Sequence, residues 1–533
     1  MALPTLDHRA EGLRQHMPHP RIYTPPPQGH GPPPPEPRRG AGDAAAAPGL
    51  TAAPGLTATQ AGWLRARLHG ALLLPGDPGY AQERFVFNQR YHPHPLAIAN
   101  VLDADDVRTC LRFVRAEAVP FRLRGGGHNF AGYSAGPGLV IDLSLLNGIR
   151  LDPTAGEVTV GGGCPQGTLG PLLLASGWQL PLGDWPSVAV GGFMQGGGYG
   201  LTSRSLGLNV DHVLEVEVML ADGRIVTANA SENSDLWWAV RGGTGNMFGV
   251  VLSIRYKLRA AAAPAEAELA WPLATPADRA QAAAVLLAIQ SGFMRGDANP
   301  NTSITCMALY GLGDSDPAMT GPWLMVDVDH LGTVAEMNAV IAPLLALPGR
   351  IDDFDYAALN RGSSIPPLQR VSRYVSRDLT QREFQSILDY YATTPNHLDT
   401  LYLQAMGGPM NAIPRESSAF IHRNAAFLAY LDVFWQSEAE QQAGLAWQQG
   451  WCAAMAPFWN GHCYQNFADP TLADYRAAYW GEAFPALLAV KRKYDPHTLF
   501  RFPQLLRARP EDPDEPPVWP PAVVAALAEP IHG

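Results

Sequence analysis

The sequence predicts an α+β protein made of more than one packed unit. From about Phe85 to Leu258, short β-rich runs alternate with glycine-dense loops and a few helices. After about Arg259 the glycine loops thin out and helical stretches alternate with longer strands. Near the C-terminus the chain returns to a loop, a long helix and an extended end. At 533 residues it exceeds one ordinary core, so two or three units are expected.

Composition narrows the function classes. With 47% hydrophobic and 16% charged residues the chain has enough apolar material for real cores. The formal net charge is -11, with Lys and Arg scattered, which is the wrong electrostatics for following a phosphate backbone, so no nucleic-acid partner is expected. Cys110, Cys164, Cys306, Cys452 and Cys463 are odd in number and lack metal-ligand spacing, so they read as free thiols. There is no run of 18 apolar residues, and Arg38-Arg39 is followed by Ala, Gly and Pro rather than by an apolar core. Neither a membrane span nor a secretory signal is expected, and the cytoplasm is the default location.

Taken in order, residues 1–57 are rich in Pro, Gly, Ala and His without apolar periodicity, and read as a disordered Pro-rich tail. DADDVRTCLRFVRAEAV opens with acidic residues and places Val107, Leu111 and Val114 at helical spacing. FRLRGGGH reads as a strand entering a loop, LVIDL at Leu139 to Leu143 as another strand, and EVTVGGG repeats the strand-then-glycine arrangement. VLEVEVML, the Asp222-Gly223 turn and RIVTA form an expected β-hairpin. PADRAQAAAVLLAIQSGF reads as a helix, and PWLMVDVDHL and AAFLAYLDVFW as strands. On the last of these Leu428, Tyr430, Asp432 and Phe434 share one face. Residues 509–533 read as a second tail.

Three glycine-dense loops carry the chemical signal: LRGGGHNFAGYS, PSVAVGGFMQGGGYG and AVRGGTGNMFGVV. Glycine tolerates positive φ and leaves N–H groups bare, so such loops let backbone donors close around a pyrophosphate. None opens a helix with the G-x-G-x-x-G spacing and following acid of a nicotinamide-binding unit. His92-Pro93-His94 lacks a third ligand nearby, so no metal is expected.

These segments resemble the FAD-linked oxidases of the berberine bridge enzyme-like family, within the vanillyl-alcohol oxidase fold. The family's first signature is matched by Arg124, Gly125, Gly126, Gly127, His128, Asn129, Phe130, Ala131, Gly132, Tyr133 and Ser134. The resemblance implies covalent FAD on His128. At the second signature, Trp185 stands where many members carry a second flavin-bonding cysteine, before Pro186, Ser187, Val188, Ala189, Val190, Gly191, Gly192 and Phe193. A single covalent bond is therefore expected, and Cys164 lies on a different segment. Val188 falls where the family places a small aliphatic residue on the oxygen-facing side of the flavin, which favours O2 as acceptor. The third signature is matched by Tyr464-Gln465-Asn466-Phe467, Tyr479-Trp480-Gly481 and Tyr494-Asp495-Pro496.

The resemblance implies a PCMH-type FAD-binding domain of two α+β subdomains at 58–258. A C-terminal segment at 456–508 would complete it, around a substrate domain with an antiparallel sheet at 259–455. Cofactor contacts are expected from Arg124, Gly125, Gly126, Gly127, His128, Asn129, Tyr133, Ser134, Trp185, Val188, Gly191, Gly192, Gly196, Gly197, Gly198, Val250, Tyr464 and Asn466. Tyr464 is the candidate base, with Tyr430 on the substrate side. The implied reaction is hydride transfer from a hydroxyl-bearing small molecule (a sugar, alcohol or secondary metabolite) to flavin N5, with O2 giving hydrogen peroxide. A dehydrogenase using another acceptor, and a silent flavin-fold or carbohydrate-binding protein, remain open alternatives.

Overall fold

The computed structural model describes residues 55–294, 299–311, 320–351, 366–504 and 506. The expected tails lie outside these residues, apart from the three positions before the first helix, Ala58–Arg65, where Thr57 closes a capping box with Gln60. Among the described residues no helix is long and apolar enough to cross a membrane.

Three sheets organise the chain. The first is four-stranded, in the spatial order Ala71–Leu73, Ala97–Asn100, Leu139–Asp142, Phe121–Arg124. Its last three strands are parallel, joined through the helix Ala104–Ala116. That helix starts where Asp103 accepts from the backbone of Asp105 and Asp106, and it buries Val107, Leu111 and Val114 as their spacing requires. The second sheet is five-stranded and antiparallel, with Val250–Lys257 at its centre. It contains the expected hairpin, in which Met219 pairs with Ile225.

The third sheet has six antiparallel strands in the order Pro264–Pro272, Gly321–Leu331, Thr302–Gly311, Thr400–Ala405, Phe427–Phe434, Leu368–Val375. Strand Phe427–Phe434 divides its side chains between two cores. Phe427, Ala429, Leu431 and Val433 pack under helices including Pro276–Phe293 and Gln381–Tyr391, whereas Leu428 and Tyr430 face the core of the second sheet.

The C-terminal segment returns to that same core, to which it contributes Cys463, Tyr464, Tyr479, Trp480, Leu487 and Leu506. Two expectations are corrected. The long helix expected here is two shorter ones, Tyr475–Trp480 and Phe484–Tyr494, because Gly481 turns the chain at φ 42 and Pro485 lies in the first turn of the second. The glycine loop after Pro186 contains a short helix, Val190–Gln195, so Gly191 and Gly192 are helical.

Candidate flavin site

The three glycine loops meet. A Cβ on Gly126 would lie 2.4 Å from the Ser187 carbonyl oxygen and 2.7 Å from the Ala189 nitrogen, so only glycine lets the first loop lie on the second. Gln195, at the end of the Val190–Gln195 helix, ties the second loop to the third. Its Oε1 accepts from the Asn246 N–H at 2.7 Å, and its Nε2 donates to the Gly191 carbonyl at 3.0 Å.

His128 sits where the first two loops touch. Its Nε2 is 2.8 Å from Ser187 Oγ, and its ring stacks on Phe87 at 4.4 Å. Surrounding protein pushes its pKa down to about 4, so the imidazole is neutral near pH 7, which is the form with a nucleophilic ring nitrogen. Trp185 packs edge-on against Phe87 at 4.9 Å, with its ring centroid 6.2 Å from that of His128. Asn129 shapes the loop, because its Oδ1 accepts from the backbone of Ala131 and Tyr133. Tyr133 leans on Phe502 at 5.8 Å.

Several atoms here are suited to FAD. Ser134 Oγ and Arg124 Nη1 are buried without a partner, although Arg124 Nε donates to Asp142 on the adjacent strand. Buried polar atoms left unpaired are costly, so each fits a site that a polar ligand completes. Gly192 is exposed in an otherwise buried helix, and nothing lies within 4 Å of where its Cβ would be. By contrast, Gly191 lies against the Gly162 carbonyl, and Gly197 and Gly198 take positive φ against Phe420 and Asn209.

The C-terminal signature reaches this site from the other side. Tyr464 is 2% exposed, and its hydroxyl oxygen accepts from the Tyr199 N–H and from Asn466 Nδ2, each at 3.0 Å. The Gly198 backbone donates to it as well. Burial pushes the phenol up to about 12, while these donors pull the other way. Asn466 Nδ2 also donates to the Phe193 carbonyl at 2.9 Å.

Beside Tyr464 lies an aromatic group that sequence reasoning missed. Arg370 is paired with Asp432 at 2.6 Å, and its guanidinium lies over Phe130 at 4.2 Å, Phe467 at 4.4 Å and Tyr430 at 4.6 Å. Tyr430 stacks on Tyr402 at 4.3 Å, and burial raises its pKa well above the ordinary phenol value. Ring contacts run without a gap from His128 through Phe87, Phe130 and Phe467 to Tyr464.

Asp184 was also missed, although it directly precedes Trp185. It is exposed, and its carboxylate makes no hydrogen bond or ion pair to any described residue. Surrounding protein raises it to about 6, opposed by the field of Arg370. Of the remaining expected positions, Val188 is half-buried, with its backbone bonded to Trp185 and Gln166. Val250 is buried in the core with Met219, Leu499 and Phe500. Cys164 is likewise in the core, its thiol turned to the Pro165 carbonyl. A separate trio, His69, Asp103 and Asp106, has metal-like spacing, but the two carboxylates already accept backbone N–H groups at the start of helix Ala104–Ala116.

Comparison with known proteins agrees with this geometry. The FAD binding domain model matches residues 95–229, and the berberine and berberine-like model matches residues 463–506. An uncharacterized FAD-linked oxidoreductase of Bacillus subtilis is 29% identical over 450 residues, covering 82% of this chain and 98% of the relative. The xylooligosaccharide oxidase of Thermothelomyces thermophilus is 27% identical over 461 residues, covering 78% of this chain and 88% of the relative. Among solved structures, BBE-like 1 of Physcomitrella patens shares the fold at a TM-score of 0.74 and 23% identity, covering 84% of this chain and 99% of that one. With its three signatures meeting at one site and both family models matched in order, the chain is an FAD-linked oxidoreductase that is similar to the berberine bridge enzyme-like proteins.

Proposed function

We propose that this enzyme carries FAD on a single covalent bond through His128 and oxidises a hydroxyl-bearing small molecule of the carbohydrate class, with O2 as acceptor. The observation that carries the reading is the Tyr464 oxygen, toward which three N–H donors converge beside the ring of Phe467 and the Arg370 guanidinium that lies over it. The carbohydrate class rests on the xylooligosaccharide oxidase among its relatives.

The chemistry that bound FAD supplies is two-electron acceptance from a carbon–hydrogen bond, with O2 as terminal acceptor giving hydrogen peroxide. His128, neutral at pH 7, is the nucleophile for attachment, and Ser187 Oγ orients its Nε2. Trp185 leaves no thiol for a second bond and packs beside His128 instead. Ser134 and Arg124 offer their unpaired polar atoms to the cofactor, and Gly192 leaves room for it. Tyr464 accepts the hydroxyl proton of the substrate. Tyr199, Gly198 and Asn466 stabilise the phenolate that does so, each charge-assisted hydrogen bond contributing about 1.5–3 kcal/mol. Arg370, held cationic by Asp432, adds a positive field on the same side, and Tyr430 and Phe467 keep water from it.

Acid precipitation of the purified enzyme followed by peptide mapping tests the attachment. Flavin should stay on the peptide containing His128 and on no other, and His128→Ala should release it to the supernatant. Flavin free in the wild-type supernatant would refute the covalent reading. A peroxide-release screen over oligosaccharides tests the reaction; peroxide from none, with reduction of an artificial acceptor instead, would replace the oxidase reading with a dehydrogenase.

A further inference from the structure

The end of the second glycine loop, which supplies two of the three donors on Tyr464, is almost bare of side chains. It reads Gly196-Gly197-Gly198-Tyr199-Gly200, so Tyr199 is the sole residue of this stretch whose side chain can hold it in place. Glycine-rich backbone loses the most conformational entropy on ordering, and successive N–H groups bear on one oxygen only while the turn keeps its shape. Gly197 and Gly198 stand at φ 114 and 74, and the N–H groups of Gly198 and Tyr199 both reach Tyr464 Oη, the second of them at 3.0 Å.

The turn is held from two sides. Its carbonyls are taken by the segment that follows, where the Asn209 N–H donates to Gly198 at 2.9 Å and the Val210 N–H to Gly197 at 3.1 Å. The Tyr199 phenol leaves the turn and ends on the third sheet. Its hydroxyl donates to the Ala405 carbonyl at 2.9 Å, and the Ser303 side chain hydrogen-bonds the same oxygen. Ala405 and Ser303 belong to the neighbouring strands Thr400–Ala405 and Thr302–Gly311, so the phenol is seated across both.

Arg204 repeats the attachment a few residues on, donating to the carbonyls of Met406, Asn299 and Thr302 at the ends of the same two strands. It secures the short helix Ser203–Leu206, whereas Tyr199 combines a grip on the third sheet with a donor to Tyr464. A buried tyrosine hydroxyl on a carbonyl is ordinary core chemistry, as at Tyr80, which donates to the Pro95 carbonyl at 2.6 Å. Tyr199 differs because the backbone nitrogen of the anchored residue itself donates to the candidate proton acceptor.

We propose that Tyr199 is a positioning residue for Tyr464: its phenol, pegged across two strands of the third sheet, holds the Gly198 and Tyr199 N–H groups on the Tyr464 oxygen, so that docking of the third sheet prepares Tyr464 to take the proton of the substrate. This rests on the reading of Tyr464 as proton acceptor and extends it. Asp184 and Tyr374 also bear on Tyr464, and removal of the Tyr199 hydroxyl changes neither residue.

The test uses the flavin-loaded full chain with difluorotyrosine introduced at Tyr464, a more acidic phenol whose ionisation is followed by fluorine NMR with no substrate present. Tyr199→Phe should raise that ionisation by about one pH unit, the equivalent of one charge-assisted hydrogen bond lost. Ser303→Ala, the milder change, should raise it by a smaller step. Tyr80→Phe, which loses the same kind of bond elsewhere, should leave it where it is. No shift in Tyr199→Phe and Ser303→Ala, with flavin bound, would overturn the proposal, as would an equal shift in Tyr80→Phe, which marks a general loosening of the fold. Should Tyr199→Phe fail to load flavin, Ser303→Ala decides alone. A shift in Tyr199→Phe together with a Tyr464→Phe enzyme that works as fast as wild type would keep the peg and refute the proton-acceptor reading instead.

Discussion

Replacing Gly196 by alanine reaches Tyr464 without touching it. The new Cβ would lie 2.0 Å from Asn466 Oδ1 and 2.4 Å from its Cγ, where ordinary contact begins at 3.4 Å. The Asn466 side chain must therefore retreat by about 1.4 Å, more than its bonds of 2.9 Å to the Phe193 carbonyl and 3.0 Å to Tyr464 Oη can absorb. Tyr464 then keeps two of its three donors. A hydrogen bond to a charged oxygen is worth about 1.5–3 kcal/mol, and 1.36 kcal/mol corresponds to one pKa unit, so the ionisation of Tyr464 should move up by about one to two pH units. Because Tyr464 already lies at about 12, the effect is read at a fixed neutral pH, where the phenolate fraction and with it the rate of anaerobic flavin reduction should fall by about ten- to a hundredfold. Asn466→Ala removes the same donor without the steric push and should slow the reaction equally. An unchanged rate in both variants, with flavin still bound, would refute the phenolate role of Tyr464.

Two further outcomes follow from charged groups. Lys491 and Asp495 pair at 2.6 Å within the core, and Lys491 Nζ also donates to the carbonyls of Met247 and Phe500. Lys491→Met should cost about 3–5 kcal/mol, read as a lower Tm and earlier proteolysis of the C-terminal segment; an unchanged Tm would mean the pair contributes nothing. Glu268, raised to about 8 in the fold from an ordinary value near 4.5, binds a proton that the unfolded chain has lost, so its contribution to stability falls as pH rises through that window. The Tm of Glu268→Gln should accordingly climb relative to wild type between pH 5 and pH 8, and a constant difference would show that Glu268 is not held protonated.

Much of this was legible from local pattern. Alternation along Phe427–Phe434 correctly put Leu428 and Tyr430 on one face, and the Asp222-Gly223 turn correctly joined its hairpin. The pairs Glu266/Glu268 and Asp327/Asp329 also show their period of two in the sequence. Their apposition could not be read there, because it depends on the register between two strands separated by a helix and a third strand. The Tyr199 donor on Tyr464 was invisible for the same reason, lying 265 positions away, and the cage around Arg370 draws on three separate segments. The expected long C-terminal helix failed at Gly481, whose positive φ the apolar pattern around it does not announce, and Pro485 starts the second helix.

The return of the C-terminal segment to the second sheet's core also sets a timetable for synthesis. Domains fold broadly in the order in which they emerge from the ribosome. Here the loops that surround His128 are translated first, while Tyr464, Asn466 and the residues that close their core, Tyr479, Trp480 and Leu487, come only after the third sheet is complete. A nascent or prematurely terminated chain ending before residue 463 would have its glycine loops but an open core and no Tyr464, so the core and the tyrosine beside it are completed together, by the last segment made.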